Sequence, residues 1–216
     1  MGKVVFMHEF QVGSELETEI LSTLLERGAI LRGHFLLSSG LHSDTYIQCA
    51  KLHEVPAVCE KICGKLLDKV RDHYAYLLDA DVVAAPAVGG ICFGYEVARQ
   101  LNVNFVFFER VEGSFALRRG HGVVPASRVL IVEDVITTGK SSLEVYNAIR
   151  GIGGEVVGEV SIIRRSHNAQ LPFPVVSLLS LDIKNYPENE VPASLAQIPV
   201  TEPGSRFFSK PWDKRA

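Results

Sequence analysis

Residues 129–142 run VLIVEDVITTGKSS. The four apolar residues Val129 to Val132 predict a strand buried on both faces, as in a parallel sheet. Glu133 and Asp134 follow at its carboxyl end. Thr137, Thr138, Gly139, Lys140, Ser141 and Ser142 then form a short hydroxyl-rich turn into a helix. A helix N-terminus offers unpaired N–H groups and the positive end of the helix dipole, which suit a phosphate. The neighbouring carboxylates suit sugar hydroxyls or the water shell of a divalent cation.

Around this stretch the chain alternates strands and helices. Ser14 and Glu17 form a capping box ahead of a helix whose apolar residues Ile20, Leu21, Leu24 and Leu25 recur until Gly28. Residues 29–52 lack a helical period and read as two short strands and a loop, with a turn at Ser38-Ser39-Gly40. A second amphipathic helix runs from Pro56 to about Val70. The spacing then predicts a strand over Asp81–Ala85, a helix from Gly89-Gly90 to about Leu101 and a strand over Phe105–Phe108. A polar loop follows from Glu109 to about Ser127, ahead of the strand at Val129. A helix over Ser141–Arg150 and strands over Val156–Ile163 and Val175–Leu181 complete the pattern. The residues from Tyr186 onward are rich in proline and polar groups and read as a surface tail. Such alternation predicts an α/β fold with a central, mostly parallel sheet flanked by helices. Ligands of such sheets bind beyond the carboxyl ends of the strands, where Pro86–Gly90, Glu109-Arg110, Glu133–Ser141 and Arg164-Arg165 all fall.

Composition narrows the classes. With 216 residues, 47% hydrophobic and 22% charged, the chain can bury one sizeable core. A net charge of −3 gives no reason to expect a nucleic-acid partner. No signal peptide or membrane span is read in the sequence. Cys49, Cys59, Cys63 and Cys92 lack Cys-x-x-Cys spacing, and the seven histidines form no zinc motif, so a reduced, cytoplasmic protein without structural zinc is expected.

Gly139-Lys140-Ser141 matches the end of a nucleotide P-loop. The first glycine of that motif would fall on Asp134, however, and a carboxylate there would face the phosphates it should cradle. An ordinary polar turn explains two adjacent acids poorly. The pattern of apolar strand, two acids, two apolar residues and Thr-Thr-Gly-x-Ser closely resembles the phosphoribosyl pyrophosphate signature of the type I phosphoribosyltransferases. That resemblance implies that Thr137, Thr138, Gly139, Lys140 and Ser141, entered through Val135 and Ile136, bind the 5-phosphate. Glu133 and Asp134 would hold the ribose hydroxyls and favour positive charge developing on the ring. The 6-oxopurine members carry aspartate where this chain has Thr137, and a hydroxyl suits a base with carbonyl and carboxylate oxygens, such as orotate.

Further segments resemble the orotate phosphoribosyltransferase family over roughly residues 14–205. HFLLSSGLHSDTYIQCAKL, residues 34–52, is similar to the segment that partly covers the base. It implies that Tyr46 and Ile47 pack on orotate, with Ser39 and Gly40 lending backbone groups. APAVGG, residues 85–90, resembles the pyrophosphate loop and assigns Val88 and Gly89 to it, although many members carry lysine in place of Gly89. Residues 108–120 resemble the mobile loop that reaches the neighbouring subunit's site. Arg110 there matches a pyrophosphate contact. The family's catalytic lysine is replaced by Ser114, so Arg118 or Arg119, ahead of His121, would supply the missing cation. Arg165 lines up with the arginine that binds the orotate carboxylate, with Arg164 in the place of the usual aspartate.

The resemblance implies a type I phosphoribosyltransferase-like fold with a small N-terminal hood. Residues 1–216 would form a single domain, with about 30–52 in the hood and about 186–216 as surface tail. The implied enzyme is a homodimer with shared sites that makes orotidine 5-phosphate. Magnesium (Mg2+) would enter with the pyrophosphate substrate and be held by phosphate oxygens and water, with no direct protein ligand. The alternatives are a module that senses phosphoribosyl pyrophosphate without turnover and a phosphoribosyltransferase for another base.

Overall fold

The computed structural model describes Phe10 and residues 12–37, 39–165 and 170–203. Ser38 of the expected turn, together with His8 and His167, lies outside the described residues. The chain divides into two compact units, the first from residues 1–29 and 49–182 and the second from residues 30–48 and 183 onward.

The first unit is a six-stranded sheet between helices. Its strands are β3 (Val82–Pro86), β4 (Asn104–Val111), β5 (Ser114–Leu117), β6 (Arg128–Ile136), β7 (Glu155–Arg164) and β8 (Val175–Ser180). They lie in the order β5-β4-β3-β6-β7-β8, parallel except for β5 at the edge. Every residue of β3 is buried, as a central strand covered on both faces requires. The helices α1 (Glu15–Glu26), α2 (Ala50–His53), α3 (Pro56–Tyr74), α4 (Gly90–Leu101) and α5 (Lys140–Gly151) belong to the same unit. Ser14 caps α1 by accepting from the Glu17 N–H at 3.1 Å, while Glu17 accepts from the N–H of Gly13 at 2.8 Å. Proline opens α3, which buries Cys59, Ile62, Cys63, Leu66, Leu67 and Val70 along one face. All four cysteines are free thiols. Between α5 and the sheet, Val82, Val106, Phe108, Phe115, Val129, Ile131, Val145 and Ile149 pack into one cluster. Phe108 is 1% exposed, and burial of such a ring stabilises the unit by roughly 1.5–3 kcal/mol.

The loop expected over Glu109–Ser127 starts instead as a hairpin. β4 continues to Val111, turns at Glu112-Gly113 and returns as β5, with Arg110 opposite Phe115 and Val111 opposite Ser114. Both turn residues have positive φ, 49° and 89°, the requirement of a two-residue turn between twisted strands. Phe115 is buried, and that burial holds the returning strand down.

The second unit has a three-stranded sheet of β1 (Ile30–Leu36), β2 (His42–Ile47) and β9 (Val200–Thr201), in the order β2-β1-β9. The C-terminal segment therefore contributes to this unit as well as the N-terminal hood residues. Helix α6 (Ala193–Ala196) buries Leu195, Tyr186 pairs with His42, and β9 runs parallel to β1. Buried His34 joins these parts, with Nδ1 3.0 Å from the Ile198 carbonyl and Nε2 2.7 Å from His42 Nδ1. Among the described residues no helix is long and apolar enough to cross a membrane.

Candidate active site

The chain leaves β3 toward β4 on one side, while β6 pairs with β3 on the other. The loops after β3 and β6 therefore diverge at the point where the strand order reverses, which opens a crevice at the carboxyl edge. Ala87, Val88 and Gly89 form the first of these loops. The Ala87 N–H donates to the Phe108 carbonyl at 2.8 Å, the Ala87-Val88 peptide is cis, and Val88 is 82% exposed. Gly89 is the N-cap of α4. A Cβ at Gly89 would lie 2.7 Å from both carboxylate oxygens of Asp134, and one at Gly90 would lie 2.9 Å from the Val132 carbonyl. The glycine pair thus lets this loop lie directly against β6.

β6 runs on through Val135 and Ile136, so the two acids stand within the strand rather than at its end. Neighbouring strand positions face opposite sides, and the carboxylates have different surroundings. Asp134 is half-buried beside Gly89. Burial raises its carboxyl above the usual range, against backbone N–H groups of Val135 and Asp134 and the charge of His53, which lower it. Glu133 is 9% exposed, and its Oε2 accepts from the Ser142 hydroxyl on α5 at 3.1 Å. Burial pushes Glu133 well above the usual carboxylate range, with Glu159 and Asp134 adding to the shift.

Thr137, Thr138 and Gly139 make the turn into α5. Gly139 sits at φ 76°, the left-handed region that favours glycine, and its carbonyl accepts the Leu143 N–H at 2.9 Å. Thr138 Oγ1 accepts the Lys140 N–H at 3.4 Å. Thr137, Thr138 and Lys140 are exposed and Ser141 is half-buried. The first turn of α5 has N–H groups with no partner inside the helix, directed at this turn. The arrangement can hold a phosphate beside Asp134.

On the hairpin, Arg110 donates to Glu144 Oε2 and to the Gly113 carbonyl, both at 2.6 Å, and its guanidinium lies 4.3 Å from the centre of the Phe115 ring. Glu144 belongs to α5 and also lies 3.9 Å from Lys140 Nζ, which ties the hairpin to the start of α5. Arg119 makes a two-pronged pair with Glu109 at 2.8 and 2.9 Å. The Arg118 side chain is exposed and makes no hydrogen bond or salt bridge among the described residues, though its charge acts on Glu109. His121 packs its ring on Phe107, 4.9 Å between centres, and Ser114 is exposed opposite Val111.

Arg165 follows β7, where its N–H donates to the Ile136 carbonyl at 2.9 Å. It is 7% exposed, whereas Arg164 is half-buried at the end of the strand. Tyr46 and Ile47 belong to the second unit, where Tyr46 packs near Phe35 with ring centres 5.8 Å apart and Ile47 is buried opposite Ile30. Ser39 and Gly40 are exposed at the turn between β1 and β2. Several groups of this region escaped the sequence reading, namely Glu144, His53 and above all Glu159. Among the described residues no three His, Cys, Asp or Glu side chains converge as a metal cage.

The phosphoribosyl transferase domain family matches residues 50–197. The chain is 44% identical over 190 residues to an orotate phosphoribosyltransferase of Methylobacterium sp. (strain 4-46), covering 87% of this chain and 95% of the relative. It is 44% identical over 193 residues to one of Thermoanaerobacter sp. (strain X514), covering 88% and 98%. Among solved structures, the crystal structure of orotate phosphoribosyltransferase from Aeropyrum pernix superposes with a TM-score of 0.62 at 26% identity, covering 74% of this chain and 93% of that one. The resemblance first carried by VLIVEDVITTGKSS thus extends along most of the chain, which belongs to the orotate phosphoribosyltransferase family of phosphoribosyl transferase domains.

Proposed function

We propose that the chain transfers the ribose-5-phosphate group of phosphoribosyl pyrophosphate to orotate, giving orotidine 5-phosphate and pyrophosphate, a step of de novo UMP biosynthesis. The carrying observation is the meeting, where the strand order reverses, of a glycine-rich turn and an acid pair that runs into a hydroxyl-rich helix N-terminus. The first suits pyrophosphate and the second a sugar phosphate. Identities of 44% with orotate phosphoribosyltransferases over most of their length support orotate as the base.

In this reading Thr137, Thr138, Gly139, Lys140 and Ser141 hold the 5-phosphate, and Glu133 and Asp134 take the ribose hydroxyls. Val88, Gly89 and Arg110 hold the pyrophosphate. Arg165 pairs with the orotate carboxylate, and the Thr137 hydroxyl adds to the base site. The bond from the anomeric carbon to pyrophosphate breaks and pyrophosphate leaves with the electron pair, while an orotate ring nitrogen bonds to that carbon and its proton passes to solvent. Negative carboxylates beneath the sugar favour the positive charge that develops on the ring. Magnesium would come with the pyrophosphate substrate and would supply neutralisation of the leaving group's charge, with no direct ligand from this chain. Arg118, exposed on the hairpin limb, takes the place of a loop lysine and acts in the site of a second copy, so the working unit is a cytoplasmic homodimer.

The test follows the loss of orotate absorbance with magnesium and phosphoribosyl pyrophosphate. Consumption of orotate matched by pyrophosphate release is the expected result. Binding of phosphoribosyl pyrophosphate without turnover of orotate, or turnover of a different base alone, would refute the reading.

A further inference from the structure

Glu159 lies on β7 with no exposed surface, and neither of its carboxylate oxygens reaches a partner in hydrogen-bond geometry. The β6–β7 register sets Glu159 beside Ile131 and Ser161 beside Glu133, so the two glutamates are diagonal neighbours on the α5 face of the sheet. The groups that act on them are few. From β6 come each other's neighbour Glu133 and Asp134, from α5 the neutral Ser142 hydroxyl, and from β7 the charge of Arg164. Arg164 contributes least among the influences on Glu159, and burial dominates. An isolated buried carboxylate is costly, and two side by side cannot both ionise cheaply. The ordinary resolution is one proton held between them, titrating as a property of the pair. Burial raises both groups, Glu159 to about 7.

We propose that Glu159 is a positioning residue for Glu133: the two buried, diagonally placed carboxyls share one proton while Ser142 donates to Oε2 of Glu133, which fixes Glu133 in one orientation with a single negative charge for the pair. The consequence for substrate rests on the reading of Glu133 as a ribose-hydroxyl acceptor. Above neutral pH the shared proton leaves, the two carboxylates repel, and Glu133 loses its fixed orientation. Binding of phosphoribosyl pyrophosphate should then weaken, apart from any change in the orotate site.

Two variants of the full-length enzyme separate the roles. Glu159→Gln keeps the shape and an N–H donor but cannot ionise. Glu159→Val keeps a core-compatible volume and removes the donor. The pH profile of kcat/KM for phosphoribosyl pyrophosphate should fall above neutral pH in the native enzyme. Glu159→Gln should lose that alkaline limb while staying within about threefold of native activity at pH 6.5. Glu159→Val should raise the KM for phosphoribosyl pyrophosphate about tenfold, with kcat and the KM for orotate changed less. These magnitudes are those of one lost charge-assisted hydrogen bond. An unchanged alkaline limb in Glu159→Gln, or an unchanged KM in Glu159→Val, would overturn the proposal. Isotope-edited infrared spectra read the proton without activity. A protonated carboxyl band at neutral pH that disappears in Glu159→Gln supports the pair, and its absence from the native spectrum refutes it. If the band is present but Glu133→Gln leaves the KM for phosphoribosyl pyrophosphate unchanged, the ribose role of Glu133 fails and the positioning role falls with it.

Discussion

Adding the same methyl group to two adjacent glycines should have opposite consequences. At Gly90 the new Cβ would stand 2.9 Å from the Val132 carbonyl, 3.2 Å from Pro86 and 3.3 Å from Ala85. These are backbone and core atoms that cannot step aside, so Gly90→Ala overpacks the contact between α4 and the sheet. Such overpacking costs about 1–3 kcal/mol, and at about 2–4 °C per kcal/mol for a chain of this size the melting temperature falls by roughly 2–12 °C. At Gly89 the atoms nearest the new Cβ are those of the Asp134 carboxylate, at 2.7 Å from both oxygens. Its φ is −58°, so no left-handed strain arises, and the loss of a glycine N-cap costs at most about 1 kcal/mol. To restore ordinary contact the carboxylate must retreat by about 0.7 Å. A displacement of about 1 Å at a reacting centre can cost about a hundredfold in rate, so Gly89→Ala should lower kcat by roughly 10- to 100-fold with little change in melting temperature. Orotate consumption and thermal unfolding, measured on both variants, give the comparison. If Gly89→Ala turns over at the native rate, Asp134 is not held against the reacting sugar by this loop, and the assignment of the acid pair is wrong.

The remaining predictions probe single groups. Asp134→Asn should reduce turnover by two orders of magnitude or more on the scale of a lost transition-state charge interaction, with unfolding nearly unchanged; comparable losses in both would argue that the side chain is structural. Arg165→Ala should raise the KM for orotate and leave that for phosphoribosyl pyrophosphate unchanged, and steady-state kinetics with each substrate varied would detect the reverse. Arg118→Ala should cost more turnover than Arg119→Ala, because Arg119 is already engaged by Glu109 at 2.8 and 2.9 Å whereas Arg118 is uncommitted among the described residues; equal losses would remove that distinction. Burial raises Glu159 from an ordinary 4.5 to about 7, so the stability from its protonated form is full below pH 4.5 and lost as pH rises through 7. Glu133 and Asp134 are shifted in the same direction. The apoenzyme's stability should therefore fall between pH 5 and 8, by at most about 3 kcal/mol for Glu159 alone; melting temperatures across that range would show it, and their slope should flatten in Glu159→Gln.

What the sequence discloses here depends on how local the cause is. β6 is legible because four apolar residues in a row cannot face water on either side, and the turn after it is legible because glycine and hydroxyl residues leave few alternatives. The edge hairpin is harder to see. Glu112-Gly113 is a weaker turn signal than Asn-Gly, and Ser114–Leu117 is too short to establish an alternation, so only the seating of Phe115 under α5 makes it a strand. β9 has two residues and exists through pairing with β1, more than 160 positions earlier. Glu159 belongs to no motif in a strand that also carries Glu155, Gly158 and Ser161, so nothing in the sequence sets it apart. Its burial comes from β8 on one side and α5 above, elements that sequence periodicity does not connect to it. The acid pair shows the same division. Residue identity discloses two carboxylates next to a hydroxyl-rich turn, while alternation along β6 sends one toward Gly89 and the other toward Ser142 and Glu159. Their charges at neutral pH are therefore set by different neighbours, and one of those neighbours belongs to no sequence motif.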